Sequence, residues 1–412
     1  SCAGEHCSLD NMPGFAERLR ALFPGIRPLR PTTRNGPLAM ADALELAALG
    51  LQASAGCPVT FSSTIPTVET GIYQVVVEYT EEAVGRLAFE LAEQLCRAAA
   101  EGGSFDLPGA LHQLRELDED IRLGPSTGAI VEAAVARGIP FRRLTDGSLV
   151  QLGWGSKQRR IQAAETDRTS AVAESIAQDK ELTKQLLHAA GVPVPRGRTV
   201  YDADEAWAAA LEVGLPVVVK PRDGNQGKGV TVNIVSRDHM DIAFRAAHEI
   251  SREVMVERFI PGADYRFLVV GDRVVAAARR EPPQVIGDGV RTVRELVDEV
   301  NADPRRGDGH ATSLTKMRID DIALARLAVQ NHAPDTVPAL GERVVLRNNA
   351  NLSTGGSATD VTDDVHPELA ARAIEAARTI GLDIAGVDIV CKTVLKPLEE
   401  QNGGIVEVNA AP

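Results

Sequence analysis

Hydrophobic residues follow a helical spacing through much of the first third of the chain. In residues 1–150, Ala- and Leu-rich stretches at 38–52 and 81–100 predict helices, and a short alternating run at 74–78 predicts a strand. Clusters of glycine, proline and serine separate these stretches, as is typical of turns. The pattern predicts a separate α/β amino-terminal domain over residues 1–150.

Residues 151–412 alternate between strand-like and helix-like patterns. A helix predicted over 168–190 ends at a G-V-P-V-P segment. After it the pattern predicts strands at 217–220, 230–234 and 254–257, a helix at 240–251, and a hairpin over 268–277 that turns at Gly271-Asp272. This alternation predicts an α+β domain over residues 151–412.

Two apolar strands near the end of the chain carry oxygen ligands. Asp388 lies within G-V-D-I-V, and Glu407 and Asn409 lie within G-I-V-E-V-N. Because side chains alternate along a strand, Glu407 and Asn409 are expected on the same side. Two carboxylates and an amide oxygen suit Mg²⁺ that also contacts nucleotide phosphates. Ordinary strand ends are the alternative interpretation of these short motifs.

A lysine and a glycine-rich loop follow the strand predicted at 217–220. Lys220 ends the strand, and the loop contains Gly224, Asn225, Gly227, Lys228 and Gly229. Glycines let the backbone approach a polyanion, and consecutive N–H groups bind anions. The segment is not a P-loop, because it lacks G-x-x-x-x-G-K-[ST] and precedes a strand. A simple hairpin turn is the alternative, which the flanking lysines disfavour.

The segment V-M-V-E-R-F-I-P-G-A-D predicts an adenine and ribose site. A strand of this kind offers backbone donors and acceptors to adenine, while carboxylates accept bonds from the exocyclic amine and the ribose hydroxyls. Glu257 and Asp264 are the predicted carboxylates. A solvated strand end is the alternative interpretation.

Composition and charge restrict the class of protein. The 412 residues carry a net charge of −13, which argues against nonspecific binding to nucleic acid or acidic membranes. No apolar run approaches the roughly 20 residues that span a bilayer. The five cysteines are scattered, which favours reduced thiols. We therefore expect a cytoplasmic protein without nucleic-acid or membrane partners. Separately, we expect a homo-oligomer.

In their order and spacing these motifs resemble the ATP-grasp superfamily. The matching positions run from Lys180 through Lys220, the glycine loop, Glu257 to Ile260 and Asp388 to Glu407 and Asn409. The resemblance implies ATP bound between two α+β lobes. It implies a lid around 220–256, a small inserted subdomain around 284–347, and nucleotide contacts by Lys180, Arg258, Phe259 and Ile260.

Further segments resemble the cyanophycin synthetases, which build a poly-aspartate backbone with arginine branches. They include L-G-P-S-T at 123–127, Q-L-G-W-G at 151–155, T-D-R-T at 166–169, R-G-D-G-H at 306–310 and N-L-S-T-G-G at 351–356. The resemblance implies that ATP phosphorylates the carboxyl end of a cyanophycin primer and that aspartate attacks the acyl phosphate. Predicted catalytic residues are Arg266, Arg280 and Arg347 for charge on the phosphoryl group, and Ser353, Thr354 and Gly355 for the carboxylate.

The chain also departs from that family. An H-x-x-E-H segment, a zinc-ligand spacing, corresponds here to D-A-L-E-L at 42–46, so a hydrolytic role is not expected. A family histidine is replaced by Gln284. A Mur-ligase-like arginine-adding domain is expected either to follow in a longer chain or to be lacking.

Two other functions stay open at this point. One is a free-standing carboxylate-amine ligase that makes a small peptide, as glutathione synthetase or D-Ala-D-Ala ligase does. The other is a noncatalytic ATP-binding or assembly subunit, which the complete set of lysines, carboxylates and amide disfavours.

Overall fold

The computed structural model describes residues 8–30, 38–69, 71–222, 229–307 and 314–412. The chain divides into two compact units, Ser1–Arg122 and Leu123–Pro412. The domain boundary predicted at residue 150 falls within a four-stranded sheet of the second unit. Four predicted glycine-loop residues lie outside the described residues, namely Gly224, Asn225, Gly227 and Lys228.

The first unit packs helices against a two-stranded antiparallel sheet. Its elements are α1 (Phe15–Leu22), α2 (Met40–Ala55), β1 (Ser62–Pro66), β2 (Tyr73–Val77), α3 (Glu82–Glu101) and α4 (Leu107–Ile121). The helices predicted at 38–52 and 81–100 and the strand at 74–78 are confirmed as α2, α3 and β2. Small buried residues such as Ala43, Ala47 and Ala88 allow these helices to pack closely.

The D-A-L-E-L segment of the first unit makes structural hydrogen bonds. The Asp42 carboxylate accepts a bond from the Ala39 N–H at 2.8 Å, which satisfies a free donor at the start of α2. Glu45 accepts bonds from the hydroxyls of Ser62, at 2.7 Å, and Thr64. Both carboxylates therefore have partners within the unit.

The second unit begins with a small helix and sheet. Its elements are α5 (Pro125–Val135), β3 (Phe141–Arg143), β4 (Val150–Leu152), β5 (Arg159–Gln162) and β6 (Glu165–Thr166). The hydroxyls of Thr166 and Thr169 both donate to the carboxylate of Asp383, which fastens this sheet to the strand region near residue 384.

The single helix predicted over 168–190 is wrong. The structure has two helices, α6 (Ala171–Gln178) and α7 (Lys180–Ala189). Asp179 between them has an extended backbone, and its carboxylate accepts bonds from the N–H groups of Glu181 and Leu182, each at 3.1 Å. This N-cap starts a new helix, so Lys180 occupies a first turn.

An antiparallel sheet with two helices forms the smaller lobe. Its elements are β7 (Gly197–Val200), α8 (Ala203–Val213), β8 (Val217–Pro221), β9 (Thr231–Ile234), α9 (Arg237–His248) and β10 (Val254–Arg258), with the strand order β7-β10-β8-β9. The predictions of strands at 217–220, 230–234 and 254–257 and of the helix at 240–251 are confirmed. A core that includes Val219, Phe244 and Val256 lies between the sheet and the helices.

The predicted hairpin is longer than the sequence indicated. It pairs β11 (Ala263–Val270) with β12 (Arg273–Glu281) and turns at Gly271-Asp272 as expected. Gly271 has a φ of +62°, which explains glycine at this turn.

A small subdomain with its own core follows. It contains β13 (Gln284–Ile286), α10 (Val293–Asn301), β14 (Arg306–Gly307), β15 (Leu314–Thr315), α11 (Asp321–Val329) and β16 (Arg343–Val345). Its core includes Val285, Leu296, Leu327 and Val344.

The larger lobe is completed by β17 (Ser357–Asp360), α12 (Pro367–Ile380), β18 (Ile384–Cys391) and β19 (Gly404–Asn409). Its antiparallel sheet has the order β17-β12-β11-β18-β19. One face of the sheet packs on α12 through residues such as Phe267, Val387 and Val408, and the other face carries polar side chains. No helix within the described residues is long and apolar enough to cross a membrane.

Candidate active site

A cavity of about 830 Å³ lies over the polar face of the larger sheet. Asp264, Arg266 and Leu268 of β11 line it, whereas Tyr265 and Phe267 between them are buried in the core. Strand alternation therefore turns one set of side chains into the cavity and the other into the core. Lys180 and Lys220 line the same cavity.

The three predicted metal ligands all line this cavity. Asp388 pairs directly with Glu407 across β18 and β19, and Gly386 pairs with Asn409. A β-bulge at Val406 shifts the register between Asp388 and Ile389. The extra residue lets Ile405 face the core while Glu407 faces the cavity.

Two arginines contact the carboxylate of Asp388. Arg266 Nε lies 2.6 Å and Arg280 Nη2 lies 3.1 Å from Asp388 Oδ1. Burial raises the pKa of Asp388, and the nearby charge of Glu407 adds to this, although both arginines oppose it. Arg266 and Arg280 are thus in position to meet negative charge in the cavity.

The residues present fit a divalent cation. Asp388 Oδ1 is buried, and among the described residues no donor has hydrogen-bonding geometry to it despite the two ion pairs. Lys180 Nζ lies 3.4 Å from Glu407 Oε1. Burial opposes the charge of Glu407, but Lys180 and Arg266 outweigh it and lower the pKa of Glu407. Two carboxylates and an amide oxygen are hard donors suited to Mg²⁺.

Lys220 is held by a buried carboxylate. Its Nζ lies 2.8 Å from Glu257 Oε2, while Lys184 Nζ contacts Glu257 Oε1. Burial opposes the charge on Glu257, but the two lysines lower its pKa to about 2. The Glu257 side chain is 6% exposed and faces lysines, which differs from the predicted contact with an adenine amine.

The rest of the predicted adenine segment lies just beyond this carboxylate. Arg258 is exposed, and Phe259 and Ile260 are partly buried. The N–H of Arg258 donates to Arg196 O at 2.8 Å, and the N–H of Phe259 donates to Pro216 O at 2.9 Å. Gly229, the described end of the glycine loop, has a φ of +67° and precedes Val230 and Val232, which line the cavity.

The predicted carboxylate-binding turn contributes to the cavity in part. Residues 348–353, including Ser353, line it. Thr354 instead donates its hydroxyl to Asn349 Oδ1 at 2.9 Å, and Gly355 has a φ of +96°. Buried Arg306 donates to the carbonyl of Gly355 at 3.0 Å. Thr354 and Gly355 thus support the shape of the turn.

Arg347 does not line this cavity. It forms an ion pair with Asp320 in the subdomain. Gln284 donates to Glu281 Oε2 at 3.3 Å and accepts a bond from Arg343.

Sequence reasoning missed two charged residues of the site. Lys184 is four residues after Lys180 and therefore on the same helix face, and Arg306 begins the R-G-D-G-H segment. The sequence around Lys184 and Arg306 does not predict that either side chain is buried, because most lysines and arginines are solvated.

Both the amino-terminal part and the later part of the chain match known protein families. Residues 3–101 match the cyanophycin synthase-like N-terminal domain, and residues 179–276 match the carbamoyl-phosphate synthase L chain, ATP binding domain. The chain is 44% identical to the cyanophycin synthetase of Nostoc sp. (strain PCC 7120 / SAG 25.82 / UTEX 2576) over 100% of its own length. The resemblance to the cyanophycin synthetases is confirmed. The chain spans 44% of the length of that cyanophycin synthetase.

Glutathione-forming proteins are less similar. The glutathione biosynthesis bifunctional protein GshAB of Clostridium perfringens is 35% identical over 71% of this chain and 38% of that protein. The crystal structure of a bifunctional glutathione synthetase from Pasteurella multocida has a TM-score of 0.55 and 29% identity, and it covers 80% of this chain and 49% of that one. The predicted α+β ATP-grasp fold is confirmed.

Proposed function

We propose that this chain carries the aspartate-adding activity of a cyanophycin synthetase. It would ligate L-aspartate to the C-terminal carboxylate of the cyanophycin backbone at the expense of ATP. The observation that carries the proposal is the cavity in which Asp388, Glu407 and Asn409 lie with Arg266 and Arg280. The similarity to cyanophycin synthetases over the whole chain supports the choice of substrates.

The proposed reaction has two steps. An oxygen of the primer carboxylate attacks the γ-phosphorus of ATP, and ADP leaves. The amine of aspartate then attacks the acyl carbon, loses a proton and displaces inorganic phosphate. Arg266 and Arg280 would donate to the phosphoryl oxygens as charge develops. Lys180 and Lys220 would bind the phosphates of ATP, and Asp264 would bind the ribose.

Asp388, Glu407 and Asn409 would hold Mg²⁺. When bound, the ion would offset the charge of the phosphates. The 351–356 turn would position the primer carboxylate through the Ser353 hydroxyl, while the N–H groups of Thr354, Gly355 and Gly356 donate to carbonyls within the turn and hold its shape. The glycine loop, including Gly224, Asn225, Gly227 and Lys228, is proposed as the lid over the phosphates.

A primer-extension assay tests the proposal. The chain is supplied with ATP, magnesium, aspartate and an aspartyl-arginine primer, and the primer mass and released phosphate are measured. We expect each extended primer to gain the mass of one aspartate residue and one inorganic phosphate to be released for each extension. The Glu407→Gln variant, which keeps the size of the side chain, serves as the inactive control.

Other amine donors distinguish the alternatives. A mass gain with glycine, cysteine or D-alanine, and none with aspartate, would assign the chain to the small-peptide ligases, a class that the similarity to glutathione-forming proteins favours. ATP binding without phosphate release for any donor would assign it to a noncatalytic role.

A further inference from the structure

A buried charge cluster lies behind the lysine that faces the nucleotide cavity. Lys184 of α7, Glu257 of β10 and Lys220 of β8 form a row in which the carboxylate contacts both ammonium groups. The side chains of Lys184 and Glu257 are 10% and 6% exposed. Lys220 lines the 830 Å³ cavity, whereas Lys184 and Glu257 line a separate cavity of about 260 Å³.

The arrangement has a net charge that depends on Lys184. Glu257 alone would cancel the positive charge of Lys220, because the two groups form a one-to-one ion pair at 2.8 Å. Lys184 engages the other carboxylate oxygen, so two ammonium groups share one carboxylate. The cluster then carries one positive charge toward the cavity, and buried charges are screened only weakly.

We propose that Lys184 is a positioning residue for nucleotide binding. Lys184 competes with Lys220 for the carboxylate of Glu257, and the charge of Lys220 is thereby left to attract the phosphates of ATP. The proposal deepens the function proposed above and rests on it. In this arrangement Glu257 fixes the place of the Lys220 ammonium group, and Lys184 keeps that group electropositive.

The charge of Lys184 also responds to pH. Burial lowers the pKa of Lys184 to about 7, with Lys220 acting in the same direction and Glu257 against it. Burial opposes the charge of Lys220 as well, but Glu257 raises its pKa, so Lys220 stays protonated. Above neutral pH the cluster therefore tends toward zero net charge, which would weaken phosphate binding.

Other charged or titratable groups face the same region. They are Glu181 and His188 of α7, Arg196 just before β7, and Arg198 of β7. Arg198 forms an ion pair with Glu212 at 3.3 Å, and its side chain is 43% exposed. It is therefore suitable as a control for the loss of a positive charge.

Calorimetric titration with ADP and magnesium tests the proposal without any need for ligation. At about pH 7, where roughly half of the Lys184 side chains carry a charge, we expect Lys184→Met to weaken ADP binding roughly fivefold, about half of the tenfold factor that one pKa unit of interaction represents. Lys184→Arg, which keeps a charge, should restore most of the affinity, and Arg198→Met should match the wild type. Lys184→Met leaves Glu257 paired with Lys220, so the fold should persist, which thermal unfolding checks.

The pH dependence separates a charge effect from a packing effect. Between about pH 7.5 and 9, where the phosphates of ADP are already ionised, wild-type affinity should fall, while Lys184→Arg and Lys184→Met should vary less. His188 is present in all three proteins, so an equal pH dependence in all of them would overturn the proposal. Unchanged affinity in a folded Lys184→Met variant would also overturn it. A wild type that binds no ADP would instead contradict the proposed function.

Discussion

Replacement of Asp388 by asparagine separates the stability of the site from its chemistry. The carboxylate is 8% exposed in its side chain and contacts both Arg266 and Arg280. Loss of one partner of a buried ion pair costs about 3–5 kcal/mol. The pKa of Asp388 is raised, however, so its charge already opposes folding. Asparagine removes that charge and keeps an oxygen acceptor, so we expect the free energy of unfolding to change by less than about 1 kcal/mol.

Thermal unfolding with and without ligand measures both effects. A change of that size corresponds to less than roughly 4 °C in Tm for a unit of this size. In the wild type, ATP with magnesium at about 100 times its Kd should add about 2.7 kcal/mol of stability. Asp388→Asn should lose most of this increment and all primer extension.

Glu407→Gln is the matched control. The side chain of Glu407 is 32% exposed, and its carboxylate lies 3.4 Å from the Lys180 ammonium group. We therefore expect Glu407→Gln to change the free energy of unfolding little. The same variant should abolish both the stabilisation by ATP with magnesium and the extension of the primer. Full extension by Asp388→Asn, or an undiminished increase in Tm with ATP and magnesium, would refute the assignment of Asp388.

Four further outcomes are expected. Arg306→Met should raise the KM for the primer more than the KM for ATP, because Arg306 supports the turn at 351–356 through the Gly355 carbonyl; equal changes would contradict this. Arg347→Met, outside the cavity, should reduce kcat far less than Arg280→Met, as steady-state kinetics will measure. Because the folded pKa of Asp388 is raised, its protonated form stabilises the fold at low pH and this contribution is lost as pH rises through that pKa; magnesium-dependent stabilisation should correspondingly weaken as pH falls through it. The amino-terminal unit should neither bind zinc stoichiometrically nor release primer from added cyanophycin, because Leu46 cannot coordinate a metal, and metal analysis with product detection will check this.

Strands β18 and β19, which carry the predicted metal ligands, could be predicted because their signal is local. Hydrophobic runs that contain Asp388, Glu407 and Asn409 specify strands, and alternation specifies the shared side of Glu407 and Asn409, which both line the cavity. The pairing of Asp388 with Glu407 is a long-range contact that no local pattern predicts. Only the resemblance of the motif order to the ATP-grasp superfamily indicated that these two residues lie together.

Other features depended on contacts that no local pattern contains. The break at Asp179 had a recognisable capping residue, but the apolar periodicity on either side outweighed it. The pairing of Arg347 with Asp320, 27 residues away, and of Lys184 with Glu257, 73 residues away, follows from how the lobes fold. Charged residues of this kind are ordinarily expected in solvent, so their sites become visible only in three dimensions.

The bulge at Val406 marks the position in β19 where one residue can be removed without changing the strand pairing. Ile405 pairs with Ile389 and Glu407 with Asp388, so Val406 is the one residue between them without a partner opposite. Deletion of Val406 would keep both pairs. Deletion of Val408 would instead remove a core residue and turn Asn409, a predicted metal ligand, toward the opposite face of the sheet. Alignments and designed chimaeras that join this lobe to another sequence should therefore place any single-residue gap at Val406.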